Sequence, residues 1–233
     1  MRNISMFLII FLIFSVSLHA QKDIPPRENH PISMGPYFAI KGGVNTSDVP
    51  EGIQNGFNFG GLSDFGACFY VPFKRDQKMG LLVDLTYSSY TYNLNLYDDD
   101  QVEWTNDFSY VSIAPMLYYG GFLIGFNLGF PDGASSDESS VDAIYDADDM
   151  AMAFFGRMGA SLTLFEDENV WINLDLRADY MLTGLFNEAD TPTLFVDGDP
   201  YSFEDYNPHP VSISLGFSVM INFEKNEKYK VEY

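Results

Sequence analysis

The chain has a single cysteine, Cys68, so no intrachain disulfide can staple it. Positive charge is scarce. Lys and Arg number 12 against 33 Asp and Glu, and the formal net charge is −21. That balance excludes nucleic acid as a partner, because phosphate binding needs a basic face. Histidine is scarcer, with only His30 and His209 beyond the N-terminal apolar stretch. A hydrolytic centre would need His209 with Ser212 or Asp205 at a rim; the plainer reading is a loop histidine. No Gly-rich phosphate cradle is present, since Gly42-Gly43 and Gly60-Gly61 read as strand positions. Beyond residue 20 no apolar run approaches the length of a membrane helix. Hydropathy by itself would make the protein water-soluble. Barrel strands, however, escape hydropathy because alternate residues face a polar interior.

What is present points to such strands. Aromatic residues make up 16% of the chain, with 15 Tyr, a composition that suits interfacial girdles. The chain opens with Arg2, an apolar stretch over Met6 to Val16, and Ala20 before Gln21. This is a secretory signal peptide over residues 1–20, and no cysteine follows the site to carry a lipid. Residues 21–35 are polar and Pro-rich, a lead-in on the periplasmic side.

The stretch Ala151 to Thr183 sets the pattern. Two alternating runs meet at Glu166-Asp167-Glu168-Asn169. In the second run Val170, Ile172, Leu174, Leu176, Ala178, Tyr180 and Leu182 share one face. Trp171, Asn173, Asp175, Arg177, Asp179, Met181 and Thr183 share the other. A period of two over about ten residues is a strand, and is the length that crosses a bilayer at a tilt. The same alternation recurs over Pro36–Asn45, Phe57–Phe73, Met79 to about Asn93, Phe108–Tyr119, Phe122–Phe130 and Val211–Phe223. With the hairpin these make eight strands in a barrel over 36–223, followed by a polar tail at 224–233. The sequence therefore predicts an all-β, eight-stranded antiparallel transmembrane barrel with short periplasmic turns and long acidic extracellular loops. Pro115 interrupts the fourth strand, where a bulge is expected. Gly120-Gly121 is a two-residue hairpin turn.

The connections alternate long and short. The four long ones, 46–56, 94–107, 131–150 and 184–210, hold twenty acidic residues and no Lys or Arg. By parity Lys41, Asp64, Asp84, Arg157, Asp175, Arg177 and Asp179 all face inward, and no charged residue faces outward in any strand core. A lipid-facing Lys or Arg at the midplane costs roughly 2–4 kcal/mol, which explains the one-sided placement. Polar faces of a soluble sheet are the competing reading, and the aromatic-rich opposite faces weigh against it. Eight strands enclose room for side chains only. The inward set then forms an ion-paired plug, and the isolated barrel is expected not to conduct.

With the strands placed, the chain resembles the PorT-like outer-membrane β-barrel family of Bacteroidetes-type bacteria. The similar segments are FAIKGGVNTS at 38–47, GLLVDLTYSSYTY at 80–92, FSYVSIAPMLYY at 108–119 and INLDLRADYMLTGLF at 172–186. Arg177 and Tyr180 fit the family's Arg-x-x-Tyr in the penultimate strand, and Pro115 fits its fourth-strand proline. The tail departs from the pattern: EKNEKYKVEY follows Phe223, so the assembly signal is internal at Phe223 or shifted to Tyr233. The resemblance implies an outer-membrane location, lipid and lipopolysaccharide as surroundings, and insertion by barrel-assembly machinery. It also implies functions that include secretion and gliding machinery.

Candidate metal ligands lie in the acidic loops. Asp98, Asp99, Asp100, Asp197 and Asp199 offer oxygen ligands for calcium, without the twelve-residue EF-hand pattern. A solvated negative surface is the competing reading, with divalent bridging to lipopolysaccharide phosphates a further expectation. No cofactor is implied. Three functions follow in order: a non-enzymatic structural or interaction barrel with envelope or secretion partners; small-ligand binding or transport at the loops and barrel mouth; and an outer-membrane enzyme, last because the catalytic residues are missing.

Overall fold

The computed structural model describes residues 30–49, 52–73, 79–96, 103–138, 142–143, 150–187, 193–196, 199–202 and 207–223. Eight long strands carry the architecture: β1 (Ser33–Asn45), β2 (Ile53–Pro72), β3 (Met79–Leu96), β4 (Glu103–Tyr119), β5 (Phe122–Glu138), β6 (Ala153–Glu166), β7 (Val170–Met181) and β8 (Pro210–Asn222). Each pairs antiparallel with its neighbours in sequence. β1 also pairs with β8, from Ser33↔Asn222 to Asn45↔Pro210, which closes the ring. A closed antiparallel ring leaves no strand edge unpaired. A two-residue strand, Asp142–Ala143, extends the outer part of β5, and Thr193–Val196 pairs with Asp199–Ser202 as a separate small hairpin.

Alternation decides the two faces. Along β7 every second residue from Trp171 to Met181 is buried, while Val170, Ile172, Leu174, Leu176, Ala178 and Tyr180 lie on the outside. Phe38, Phe65, Val111, Ile124, Met158, Leu162, Leu215 and Phe217 are exposed on the outer surface of the other strands. The outside is apolar and the inside carries the charges, the inverse of a soluble sandwich. Gly120 and Gly121 have φ of 56° and 95°, the double positive φ that a two-residue type I′ turn requires. The β6–β7 turn is tied by Asp167, whose Oδ1 accepts from the N–H of Asn169 at 2.7 Å and of Val170 at 2.8 Å.

Three differences from expectation have physical causes. First, the strands run further at the long-loop end than the alternation shows. β2, β3, β4 and β5 are 20, 18, 17 and 17 residues long. The segments 94–96, 103–107 and 131–138, expected as parts of the long loops, are ladder, with pairs such as Leu94↔Trp104 and Thr105↔Asp137. Pairing propagates there without an outer apolar face to mark it. At the other end β1 starts at Ser33, inside the expected lead-in.

Second, no bulge forms at Pro115. The β3–β4 register runs unbroken through Val83↔Pro115. The β4–β5 register is the same on both sides of a gap at Ala114 and Pro115, from Ile113↔Leu128 to Met116↔Gly125. The missing proline N–H is absorbed by skipping ladder pairs rather than by shifting register. The shift in β4–β5 lies instead between Ser109 and Tyr110.

Third, β2 carries two irregularities against β1, flanking Ile40, whose partner is Leu62, while Ala39 pairs with Asp64 and Gly42 with Phe59. Two inserted residues restore a period of two, so Phe57, Phe59 and Phe65 all point out as parity expects. A single insertion lies between Thr163 and Phe165, and it turns Phe165 outward against its parity.

Candidate functional site: the charged interior

The interior is layered. At the short-turn end Tyr37, Cys68, Tyr70, Leu82, Met116, Tyr118, Trp171 and Met220 form one buried cluster. At the long-loop end Tyr90, Tyr92, Trp104, Phe108, Tyr110, Phe155, Met181, Leu185 and Phe186 belong to another. The charged residues lie between them.

All seven residues expected on the inner face are there, each no more than 3% exposed. Lys41 Nζ donates to Asp64 Oδ1 at 2.7 Å. Arg157 grips Asp179 with both arms of its fork, Nε to Oδ1 at 2.6 Å and Nη2 to Oδ2 at 2.7 Å. Its Nη1 reaches Asp84 Oδ2 at 3.4 Å. Arg177 bonds the same Asp84 oxygen through Nη1, and Asp175 Oδ2 through Nη2 at 3.0 Å. Strand register sets these meetings: Arg157 is directly opposite Asp179, and Cys68 opposite Asp84.

Two tyrosines join the separate pairs, and parity did not single them out. Tyr90 Oη donates to Asp179 Oδ2 at 3.2 Å and accepts from Asn127 Nδ2 at 2.8 Å. The Lys41 ammonium sits 3.6 Å from the centre of the Tyr90 ring, and the Arg177 guanidinium 4.2 Å from that of Tyr37. Cation–π contact therefore connects the Lys41–Asp64 pair to the rest. The inward parity of Tyr37 and Tyr90 was the available signal; their stacking on cations needed the ring's curvature.

Chemically this is a connected lattice of three cations and four carboxylates. A guanidinium offers donors only and an ionised carboxylate acceptors only, so the two suit one another when water is excluded, while Asp84 Oδ1, Asp175 Oδ1 and Arg177 Nε are buried without a hydrogen-bond partner. Each aspartate side chain in it touches a cation, and aromatic layers cover it at both ends.

The other candidates do not assemble. His209 Nδ1 lies 3.1 Å from the Met181 carbonyl, and its backbone N–H donates to Asn45 Oδ1 and Ser47 Oγ. Ser212 is buried on the inner face, and Asp205 lies outside the described residues. Asp98, Asp99, Asp100 and Asp197 also lie outside them. Asp199 opens the short strand paired to Val196. Among the described residues no group of three or more His, Cys, Asp or Glu is placed to hold a metal. Cys68 is buried with a free thiol. Sequence reading missed His30, which is buried at the short-turn mouth rather than free in a lead-in.

Fold and interior together define the class: a closed eight-stranded antiparallel barrel, apolar outside and filled inside by an ion-paired layer between aromatic layers. No family model matches the chain, and no curated protein does. Among the solved structures similar to it are two outer-membrane proteins. The outer membrane protease OmpT from Escherichia coli is 10% identical with a TM-score of 0.32, over 88% of this chain and 100% of that one. The outer membrane protein OprG from Pseudomonas aeruginosa is 10% identical with a TM-score of 0.31, over 83% and 98%. The fold assignment rests on the strand pairing itself.

Proposed function

We propose that this chain is a non-enzymatic outer-membrane barrel of PorT-like kind, a rigid interaction body at the cell envelope with a place in secretion machinery. The observation that carries this reading is the filled interior. Lys41, Arg157 and Arg177 are buried and paired with Asp64, Asp84, Asp175 and Asp179, and these side chains occupy the middle of the barrel. The apolar outer face supports lipid as its surroundings, because buried charge and exposed Phe and Leu suit a bilayer and not water. Twenty acidic residues in the long connections and the strand ends that extend into them support that end facing the medium, above lipopolysaccharide. Insertion then follows removal of residues 1–20 and needs the barrel-assembly machinery. The experiment is affinity purification of the tagged chain from native outer membranes after mild crosslinking. Envelope or secretion proteins in fixed ratio are expected; recovery of the barrel by itself would overturn the interaction role.

A second reading, small-ligand binding at the long-loop mouth, has one observation in its favour. In the aromatic cluster there, Trp104 Nε1 and Tyr110 Oη are buried without a hydrogen-bond partner. Buried polar groups are normally satisfied. Trp104 and Tyr110 stand six residues apart on β4, so a hydrophobic ligand would need an acceptor for each. Saturable quenching of Trp104 by such ligands is the test that separates the two readings.

A further inference from the structure

The charged layer has one carboxylate too many. Among the described residues the buried Lys and Arg are Lys41, Arg157 and Arg177, and the buried Asp are Asp64, Asp84, Asp175 and Asp179. The long connections cannot supply the missing cation, because 46–56, 94–107, 131–150 and 184–210 contain no Lys or Arg. The shortfall falls on one pair. Asp64 has Lys41 at 2.7 Å, and Asp179 has both arms of Arg157 and the Tyr90 hydroxyl. Asp84 and Asp175 share the Arg177 fork, one on each Nη, and the further cation at the pair is Arg157, 3.4 Å from Asp84. Each of the two leaves its Oδ1 buried without a hydrogen-bond partner, and Tyr37 Oη is a third such oxygen. The Tyr37 ring centre lies 4.2 Å from the Arg177 guanidinium, and its hydroxyl lies over Gly216, directly opposite Asp175 on β8. A Cβ at Gly216 would stand 2.4 Å from that hydroxyl, so the glycine is what admits it. The other groups facing the pair are Cys68 on β2 and Ala114 on β4, both opposite Asp84, and Ser161 on β6, opposite Asp175.

An uncompensated carboxylate in a water-excluded layer is strongly disfavoured. A water molecule would offer donors to these oxygens and leave the charge unchanged. A divalent ion would overshoot by one charge. We propose that Asp84, Asp175 and Tyr37 hold one further unit of positive charge, a proton or a sodium-sized monovalent ion, taken up as the ring closes. Uptake during closure needs no path through the aromatic layers that cover the site. The layer is then neutral, the state that suits a ring of side chains shut away from water. The inference concerns the charged layer alone and goes beyond the interaction role.

Infrared spectra and urea unfolding of the full barrel in lipid vesicles separate the two sources. A proton is expected to give the carbonyl stretch of a neutral carboxylic acid at neutral pH. That band should shift when the aspartates carry carbon-13 carboxyls and ignore the salt cation. A metal ion is expected to give no such band. Instead the folding constant should rise about tenfold for each tenfold rise in sodium, at an ionic strength held fixed with choline chloride. Asp175→Asn brings the layer to three carboxylates, and whichever signal the parent shows is expected to vanish. Its amide keeps an acceptor for Arg177 and adds a donor where Oδ1 had no partner. The folding constant of Asp175→Asn should therefore stay within about tenfold of the parent's. Asp179→Asn, which strips Arg157 of its two-armed partner, should lose about a hundredfold or more. The proposal is overturned if the parent shows neither the acid band nor the sodium dependence, if the signal survives in Asp175→Asn, or if that variant is as damaging as Asp179→Asn.

Discussion

Arg177 holds two carboxylates and a tyrosine face at once, and the cost of losing it is set by what it leaves behind. Asp84 and Asp175 would stay buried with one fewer cation between them. Removing one partner of a buried ion pair typically costs about 3–5 kcal/mol, whereas replacing both partners by packed apolar groups is often neutral. Arg177→Met is therefore expected to destabilise the folded barrel by about that amount, and Arg157→Leu with Asp179→Leu by much less. Urea unfolding in lipid vesicles measures both; equal losses would show that the lattice is not acting through charge compensation. Gly216 provides a second residue-scale case. A Cβ built there collides with the Tyr37 ring, which carries Arg177 on its other contact. Gly216→Val should cost roughly 1–3 kcal/mol through overpacking, and Tyr37→Leu should recover part of it. Parity told which residues face inward. It said nothing about which cation meets which carboxylate, because partners come from strands far apart in sequence, such as Asp84 and Arg177.

At the scale of the strand, β7 offers the sharpest test of the two faces. Leu174 lies outside between Leu162 and Phe217, while Asn173 is buried beside Ser218. Leu174→Arg is expected to lower assembly into membranes by the roughly 2–4 kcal/mol of a lipid-facing guanidinium. Asn173→Arg should assemble better, since its neighbours are polar. Heat-modifiable gel migration after folding into vesicles gives the folded fraction of each; equal loss would reverse the assignment of faces. Alternation was legible in the sequence wherever one face meets lipid. It fails beyond, as in 131–138, where β5 continues through PDGASSDE, a sequence without apolar alternation. The β2 irregularities were invisible for a different reason: two insertions cancel, and the period on either side remains in phase.

For the whole molecule, the ring of eight leaves an interior that side chains fill. The purified monomer in a planar bilayer is expected to show no stable single-channel steps. Large, steady openings would mean that the charged layer is hydrated and mobile. The doublet Arg157→Ser with Arg177→Ser, if it folds, should raise leak conductance over that of the parent, since both guanidinium plugs are removed from one layer.

The sequence by itself determined the number of strands, the face each charge occupies and the segregation of acidic residues to one end. These follow from local periodicity and from the cost of charge in lipid, which every strand meets separately. Only the tertiary structure decided how far each strand extends, how Pro115 is accommodated without a shift, how Tyr37 and Tyr90 unite the ion pairs, and where His30 rests. Those outcomes depend on closing the ring, which brings side chains from distant strands to one axis, and no local pattern records that distance.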